Sequence, residues 1–167
     1  MNELINLKAK ALNLGLCEEY KNKWNAAVDK SDLIKMALDA KGIDFMADSI
    51  SNGWGVSAEF LKKKFPEYIN GIIIKNPDGY TSSMFVKQKT KIEVKSTLTL
   101  LVSCDCDVIV EEDKMTNLYV CGQSSVNVLC NGYCQIYLYG DSAVAKMSGS
   151  GKWHTKRIKN SEPHINH

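Results

Sequence analysis

Between Thr90 and Met147 the apolar and polar residues alternate in short runs, and the pattern repeats every 18 residues. Examples of these runs are LYVCG, SVNVLC and CQIYLYG. Two apolar columns recur at the repeat spacing, one with Val108, Val126 and Val144 and the other with Leu100, Leu118 and Ile136. Strict alternation predicts β-strands with one buried face, because successive strand side chains point to opposite sides.

The repeat of residue identity at a fixed spacing favours one arrangement of these strands over another. An antiparallel meander also gives short strands at regular spacing, but it has no reason to align valine with valine. Stacked coils bury each column along a common interior, and two short strands with two tight turns use about 18 residues. The pattern therefore predicts a small β-solenoid with an 18-residue two-strand repeat and about three to four coils.

Small and polar residues recur where these coils are predicted to turn. The tripeptides GQS and GDS occupy residues 122–124 and 140–142, and Asp113, Asn131 and Gly149 share a position half a repeat away. Glycine, serine, aspartate and asparagine are typical of tight turns. These two sets are the predicted corners of the solenoid.

The first 65 residues have helical periodicity and predict five short helices. The first two carry apolar stripes, formed by Leu4, Leu7, Ala11 and Leu14 and then by Leu16, Tyr20 and Trp24. Ser31 is predicted to cap the third helix, and Gly42 to follow its end. Ser57 is predicted to cap the fifth, which stops at Phe65 because the following proline disfavours helical geometry before it.

The helical and solenoid segments are joined by two β-prone runs around the tetrapeptide NPDG. Pro77 suits the first central position of a turn and Gly79 the fourth, so a hairpin is predicted. The chain then divides into a helical module (1–68), a hairpin linker (69–88), β-solenoid repeats (89–150) and a basic, polar C-terminal tail (151–167). This is an α+β organisation.

Composition and charge add few constraints. The 167-residue chain is 44% hydrophobic and 24% charged, with a formal net charge of +2, which is too small to indicate nucleic acid or membrane by itself. No apolar run approaches the ~20 residues that span a bilayer, so no membrane association is expected. The N-terminus lacks the features of a secretory signal, so a cytoplasmic location and reduced cysteines are expected.

Three segments also resemble a group of known proteins. They are GWGVSAEFLKKKFPEYING, NPDGYTSSMF and repeats of the YGDSAV type. Together they resemble uncharacterised proteins encoded by gut Bacteroidetes and their phages, in which a helical N-terminal module precedes a valine-rich repeat tract with polar turns. The resemblance implies an origin in a bacterium, phage or mobile element, and it carries over no catalytic residues.

A column of outward-facing residues on the predicted solenoid is a candidate contact surface. Tyr119 and Tyr137 are one repeat apart, Leu101 precedes them in the same column, and Tyr139 lies nearby. Aromatic side chains dominate many protein interfaces, so these four residues are a candidate partner-binding site. The alternative is that the helical module of the same chain covers this column.

A second candidate site is a nucleic-acid-binding helix. The segment from Ala47 to Phe65 resembles a helix-turn-helix reader, with Ser57 at the start of its second helix. Lys62, Lys63 and Lys64 would then contact phosphates. The alternative is that these lysines form the solvated face of an ordinary helix.

Metal binding and catalysis were the remaining possibilities that residue types suggest. Ligand-competent residues occur at Cys104, Cys106, Cys130, Cys134 and His154, but the repeat explains several cysteines as small residues in small positions, so no metal is expected. Carboxylates gather on one coil at Asp105, Asp107, Glu111, Glu112 and Asp113. No phosphate loop, nucleophile elbow or dinucleotide motif accompanies them, so neither an enzyme nor a cofactor is expected.

The sequence therefore predicts a non-catalytic interaction or assembly protein of a bacterium or phage, with a protein partner or self-assembly on the solenoid face. The first alternative is a DNA-binding regulator of the helix-turn-helix type. The second is a factor that sequesters a small ligand, such as a nucleotide signal, in a pocket between helices and solenoid.

Overall fold

The computed structural model describes residues 22, 25–53, 56–76, 79–86, 89–96 and 98–158. Within these residues three α-helices precede a parallel β-solenoid of about four turns. The helices are α1 (Lys30–Ala37), α2 (Gly42–Asn52) and α3 (Ala58–Lys64), followed by a 3-10 turn at Pro66–Tyr68. The predicted α+β organisation is confirmed at this level, while the two helices predicted before residue 25 lie outside the described residues.

Two of the predicted ends of helix α1 are wrong. The backbone N–H of Asp32 donates to Asp29 Oδ1 at 2.9 Å, so Asp29 rather than Ser31 is the N-cap, and its carboxylate also complements the helix dipole. Helix α1 ends at Ala37, and Gly42 begins α2. A Cβ atom at residue 42 would lie 2.2 Å from the carbonyl oxygen of Met36, so glycine allows the two helices this close approach.

The start and end of α3 agree with the sequence. Ser57 is the N-cap, and its Oγ accepts a hydrogen bond of 3.0 Å from the backbone N–H of Phe60. The helix ends at Lys64 with Phe65 as its C-cap, directly before Pro66. Both predictions rest on local chemistry, namely side-chain capping and the steric effect of proline.

The strands form two sheets that face each other. They are β1 (Ile74–Lys75), β2 (Thr81–Val86), β3 (Thr90–Val94), β4 (Leu98–Ser103), β5 (Cys106–Val110), β6 (Met115–Val120), β7 (Ser125–Cys130), β8 (Tyr133–Tyr139), β9 (Val144–Ser148) and β10 (Lys152–Ile158). The six-stranded sheet has the order β1-β2-β4-β6-β8-β10, and the four-stranded sheet has the order β3-β5-β7-β9. Apart from β1, all pairs are parallel, as in stacked coils.

The solenoid is longer at both ends than the predicted boundaries. Strands β1 and β2 form the expected hairpin, and the N–H of Gly79 donates to the carbonyl of Asn76 at 3.0 Å. However, β2 also pairs in parallel with β4, so it is the first strand of the solenoid. At the other end β10 pairs with β8, and the Arg157 guanidinium donates to the carbonyls of Gly140 (2.7 Å) and Ala143 (2.8 Å).

The 18-residue repeat is confirmed in the six-stranded sheet, where Leu100 pairs with Leu118 and Leu118 with Ile136. In the four-stranded sheet Ile92 pairs with Val108, Val108 with Val128 and Val128 with Met147, so the spacings are 16, 20 and 19 residues. All of these residues face the interior between the two sheets.

The predicted column of Val108, Val126 and Val144 is therefore wrong in register. Val126 is buried, but its strand neighbours are Cys106 and Ala145. Val144 pairs with Ser125, and its side chain is 41% exposed on the outer face of the sheet. Residues one position apart in a strand face opposite sides, so an odd shift of register moves a side chain out of the core.

Two hydrophobic cores result from this arrangement. The first fills the space between the two sheets. The second lies between the outer face of the six-stranded sheet and the helices, and it includes Leu33, Ile43 and Leu61 from the helical module. The helical module is thus packed on one side of the solenoid, on the face that carries the predicted contact column.

Candidate functional site

The predicted contact column exists and crosses three adjacent strands. Leu101 on β4 pairs with Tyr119 on β6, and Tyr119 pairs with Tyr137 on β8. The rings of Tyr119 and Tyr137 are stacked with centroids 4.7 Å apart, and Tyr139 stacks on Tyr119 at 6.0 Å. Stacking follows from the parallel register, which places equivalent side chains side by side about 4.8 Å apart.

The helical module covers part of this column. Leu101 is fully buried and Tyr139 is 2% exposed, both in the core beneath the helices. The Tyr139 hydroxyl donates a hydrogen bond to Asp44 Oδ1 of α2, and the N–H of Gly122 donates to Ser51 Oγ of α2 at 2.9 Å. Leu101 and Tyr139 therefore offer no surface to a second molecule in this structure, and they belong to the intramolecular contact that was the alternative.

Burial and neighbouring groups keep the tyrosine hydroxyls protonated. Burial, followed by the nearby Tyr137 and Asp44, raises the pKa of Tyr119 to about 12. The pKa of Tyr139 is raised further, first by burial and then by its hydrogen bond to Asp44. Both hydroxyls are consequently hydrogen-bond donors at neutral pH.

Beyond the helices, the outer face of the six-stranded sheet is uncovered on β6, β8 and β10. We call this region the open strip. In register order it contains Met115, Tyr133 and Lys152, then Asn117, Gln135 and His154, then Tyr119, Tyr137 and Lys156. All nine side chains are half-buried or exposed. Tyr119 and Tyr137 are thus the predicted site residues that remain accessible, at the border between the helices and the open strip.

The open strip combines aromatic rings, amides and cations. The Tyr133 hydroxyl donates to Gln135 Oε1 at 3.4 Å, and its ring meets His154 edge-on with centroids 6.1 Å apart. Within the described part of the chain, the side chains of Asn117, Lys152 and Lys156 make no hydrogen bond or ion pair. These groups are available to a partner.

The outer face of the four-stranded sheet differs, because its polar groups contact one another. Glu93 forms ion pairs with Lys91 (3.8 Å) and Lys95 (3.4 Å). Asn127 Nδ2 donates to Asp107 Oδ1 at 3.0 Å. Exposed ion pairs contribute little to stability, but they leave fewer polar groups free for a second molecule.

The candidate nucleic-acid-binding residues lie on and before α3. Lys62 and Lys63 are exposed, Lys64 is half-buried, and the Ser57 hydroxyl is used by the helix cap. In helix-turn-helix readers the N-terminal residues of the second helix contact base edges. In α3 that turn carries Glu59, whereas the lysines occupy the last turn, where they complement the helix dipole. The DNA-binding role stays a prediction.

The candidate metal ligands are not brought together. Cys130 and Cys134 face the interior with their Sγ atoms 3.0 Å apart, whereas His154 points outward from β10. Cys104 and Cys106 lie at another corner, where the hydrogen bond between them and burial raise the pKa of Cys106. Across the described ranges no group of three or more histidine, cysteine or acidic residues lies close enough to hold a metal ion.

The five candidate carboxylates are spread around one coil. Asp105 accepts a hydrogen bond from the N–H of Ser125 at 2.8 Å, and Asp107 accepts from Asn127. The remaining three occupy the corner after β5, where Asp113 has a positive φ of 63°. A five-residue strand separates the two groups by about 17 Å, too far for paired acid–base chemistry.

Several residues of the site were not singled out from the sequence. Asn117 and Gln135 repeat at the same 18-residue spacing as Tyr119 and Tyr137, so the sequence did contain a signal for this part of the open strip. Asp44 and Ser51 on α2 had no such signal, because their roles depend on how the helices pack on the sheet.

Comparison with known proteins gave no matching family model, and no match to a curated protein or a solved structure. Among the described helices, none is long and apolar enough to cross a membrane.

Proposed function

We propose that this protein is a non-catalytic interaction or assembly protein of a bacterium or phage, and that it binds a protein partner through the open strip. The observation that supports this most directly is the half-exposed stack of Tyr119 and Tyr137 at the border of the helical module. The bacterial or phage origin rests on the sequence resemblance alone.

The chemistry of the open strip fits a protein surface. Tyrosine rings supply contact area with little loss of side-chain entropy, and such residues often contribute most of the binding energy. Asn117 and Gln135 offer amide donors and acceptors between the aromatic and cationic columns. The partner is therefore expected to combine an apolar centre with hydrogen-bonding groups.

The cations of the open strip favour a different protein over a second copy. Lys152 and Lys156 lie on β10, the last strand of the sheet. Two copies that met through this surface would bring like charges together, whereas acidic residues on a different protein would complement them. Self-association remains a possible outcome of the test.

The test compares one variant in the open strip with a matched variant on the opposite sheet. Gln135→Arg places a bulky cation at the centre of the open strip, and Asn127→Arg places the same side chain on the outer face of β7. Both parent residues are amides that point outward, so both variants should fold. The tagged protein and its variants are used for quantitative capture from cells that express it, with light scattering to measure self-association.

We expect one protein to be enriched by the parent and by Asn127→Arg, and to be lost with Gln135→Arg. If both variants retained the same captured proteins and the same mass in solution as the parent, binding through the open strip would be refuted. Loss with Asn127→Arg alone would place the interface on the four-stranded sheet.

A further inference from the structure

A cleft opens between α1, the 3-10 turn and β1, away from the residues of the open strip. Its volume is about 530 Å³, within the usual range for small-molecule sites. The residues that line it are Ser31, Ile34, Lys35, Tyr68, Ile72, Ile73, Ile74, Lys75 and Asn76. Three separate elements thus contribute to one concave surface.

The cleft has exposed apolar side chains on one segment. Ile72 and Ile73 are 50% and 58% exposed, although they are consecutive isoleucines next to a strand. The neighbouring Ile74 is buried in the core beneath the helices, which fixes the backbone of this segment. Adjacent exposed apolar residues in a concave region are typical of a binding groove.

The charge of the lining is positive. Lys35 on α1 and Lys75 on β1 both line the cleft, and no carboxylate does. Neither lysine forms an ion pair with any residue that the structure describes. Two ammonium groups beside an apolar surface, without a local counter-charge, complement an anionic ligand.

Asn76 gives the cleft an acceptor that lacks a donor. Its Nδ2 donates to the carbonyl of Leu38 (3.1 Å) and to Ser82 Oγ (3.0 Å). The carbonyl of Leu38 can only accept, so these contacts fix the orientation of the amide. Asn76 Oδ1 is buried and accepts no hydrogen bond from the described residues, a costly state that a hydroxyl or amino donor would relieve.

We propose that this cleft binds a small anionic molecule with a flat apolar body, with its anionic group at Lys35 and Lys75 and its ring against Ile72 and Ile73. A mononucleotide and an aromatic carboxylate share this chemistry. The assignment is independent of the open strip, because the two surfaces have no residue in common.

The test uses the full chain and the dye 8-anilinonaphthalene-1-sulfonate, which carries a sulfonate on aromatic rings and fluoresces in apolar sites. The folded protein is expected to bind the dye saturably. Lys35→Gln and Lys75→Gln are each expected to weaken binding by about tenfold, since a hydrogen bond to a charged group is lost. The control Lys62→Gln removes an exposed lysine outside the cleft and should leave binding unchanged.

Competition then separates the two sources of ligand. Displacement of the dye by adenosine monophosphate but not by adenosine or indole acetate would assign a nucleotide, and displacement by indole acetate would assign an aromatic carboxylate. Circular dichroism confirms that each variant is folded. The proposal is overturned if the folded parent does not bind the dye saturably, if both lysine variants bind it as tightly as the parent, or if no anion displaces it.

Discussion

The two sheets of the solenoid share one interior, but their outer faces are packed differently. On the six-stranded sheet the outward residues Leu101 and Tyr139 are buried beneath the helices. On the four-stranded sheet the outward residues Leu129 and Val144 are 40% and 41% exposed. The direction in which a strand residue points therefore does not decide its burial, because burial also depends on whether a second layer covers that face.

The sheets also differ in how regular their register is. The six-stranded sheet keeps 18-residue spacings between β4, β6 and β8, whereas β5 and β7 are shifted by 20. The corner at residues 121–124 is two residues longer than the corner at 104–105, and the corner at 131–132 is two shorter than that at 111–114. The shift is thus added at one corner and removed at the next, and only the sheet with two packed faces keeps a constant spacing.

The largest effect is expected from a charge in the shared interior. Val128→Asp would bury a carboxylate without a partner between the sheets, where the parent side chain is 1% exposed. The penalty of several kcal/mol is comparable to the whole stability of a domain of this size, so this variant should be largely unfolded at room temperature. Circular dichroism and urea unfolding measure this.

The matched control for that substitution is the next residue of the same strand. Leu129→Asp places the same carboxylate on the open outer face and should change the free energy of unfolding by less than about 1 kcal/mol. Equal destabilisation by the two variants would show that the alternation of β7 is not as described.

A smaller effect is expected from truncating an outward leucine on each sheet. Leu101→Ala leaves a cavity between the six-stranded sheet and the helices and should cost about 2–5 kcal/mol. Leu129→Ala, also outward, should cost about 0.5 kcal/mol, because its side chain already contacts water. Urea unfolding of both variants tests the comparison directly. Similar losses would mean that the helices do not cover Leu101.

A third difference should appear at alkaline pH. Burial beneath the helices raises the pKa of Cys121 from 9.0 to about 12. Between these values the unfolded chain loses a proton that the folded chain retains, so stability should fall as pH rises, by at most about 1.4 kcal/mol per pH unit for this group. Below pH 9 the thiol is protonated in both states and contributes no pH dependence.

The control for this prediction is Cys121→Ala, measured by urea unfolding at several pH values. Other buried tyrosines and cysteines titrate in the same range, so the difference between parent and variant isolates this thiol. A constant difference from pH 8 to pH 11 would contradict the proposed burial.

The smallest effect is expected at Lys62 and Lys63, on the exposed side of α3. Replacing both by alanine should change the free energy of unfolding by no more than about 0.5 kcal/mol. The same variant tests nucleic-acid binding. If the parent bound duplex DNA in a salt-dependent manner and the folded variant did not, the DNA-binding alternative would gain over the proposed function.

The parts of the fold that the sequence predicted are those with a local or periodic cause. Residue identity at an 18-residue spacing indicated the solenoid, and the glycine at 122 and its counterpart at 140 marked corners, where both have positive φ angles of 70° and 77°. Ser57 and the proline after Phe65 set the ends of α3. Each of these signals acts within a few residues or within one repeat.

The parts that the sequence missed depend on contacts between distant segments. Val144 was placed in the interior because a constant repeat was extended across corners of unequal length. Leu101 and Tyr139 were assigned to a partner because no sequence signal showed how far the helices extend over the sheet. The cleft near Asn76 combines three elements and had no motif at all.

The contacts of α2 also limit how the gene could gain or lose repeats. Ser51 bonds the corner after β6 and Asp44 bonds the end of β8, so one helix spans two neighbouring coils. A duplicated coil inserted between these strands would move them apart by about 4.8 Å and break one of the two bonds. Duplication after β8 would preserve both. Length variation among descendants of this gene should therefore accumulate at the C-terminal end of the solenoid.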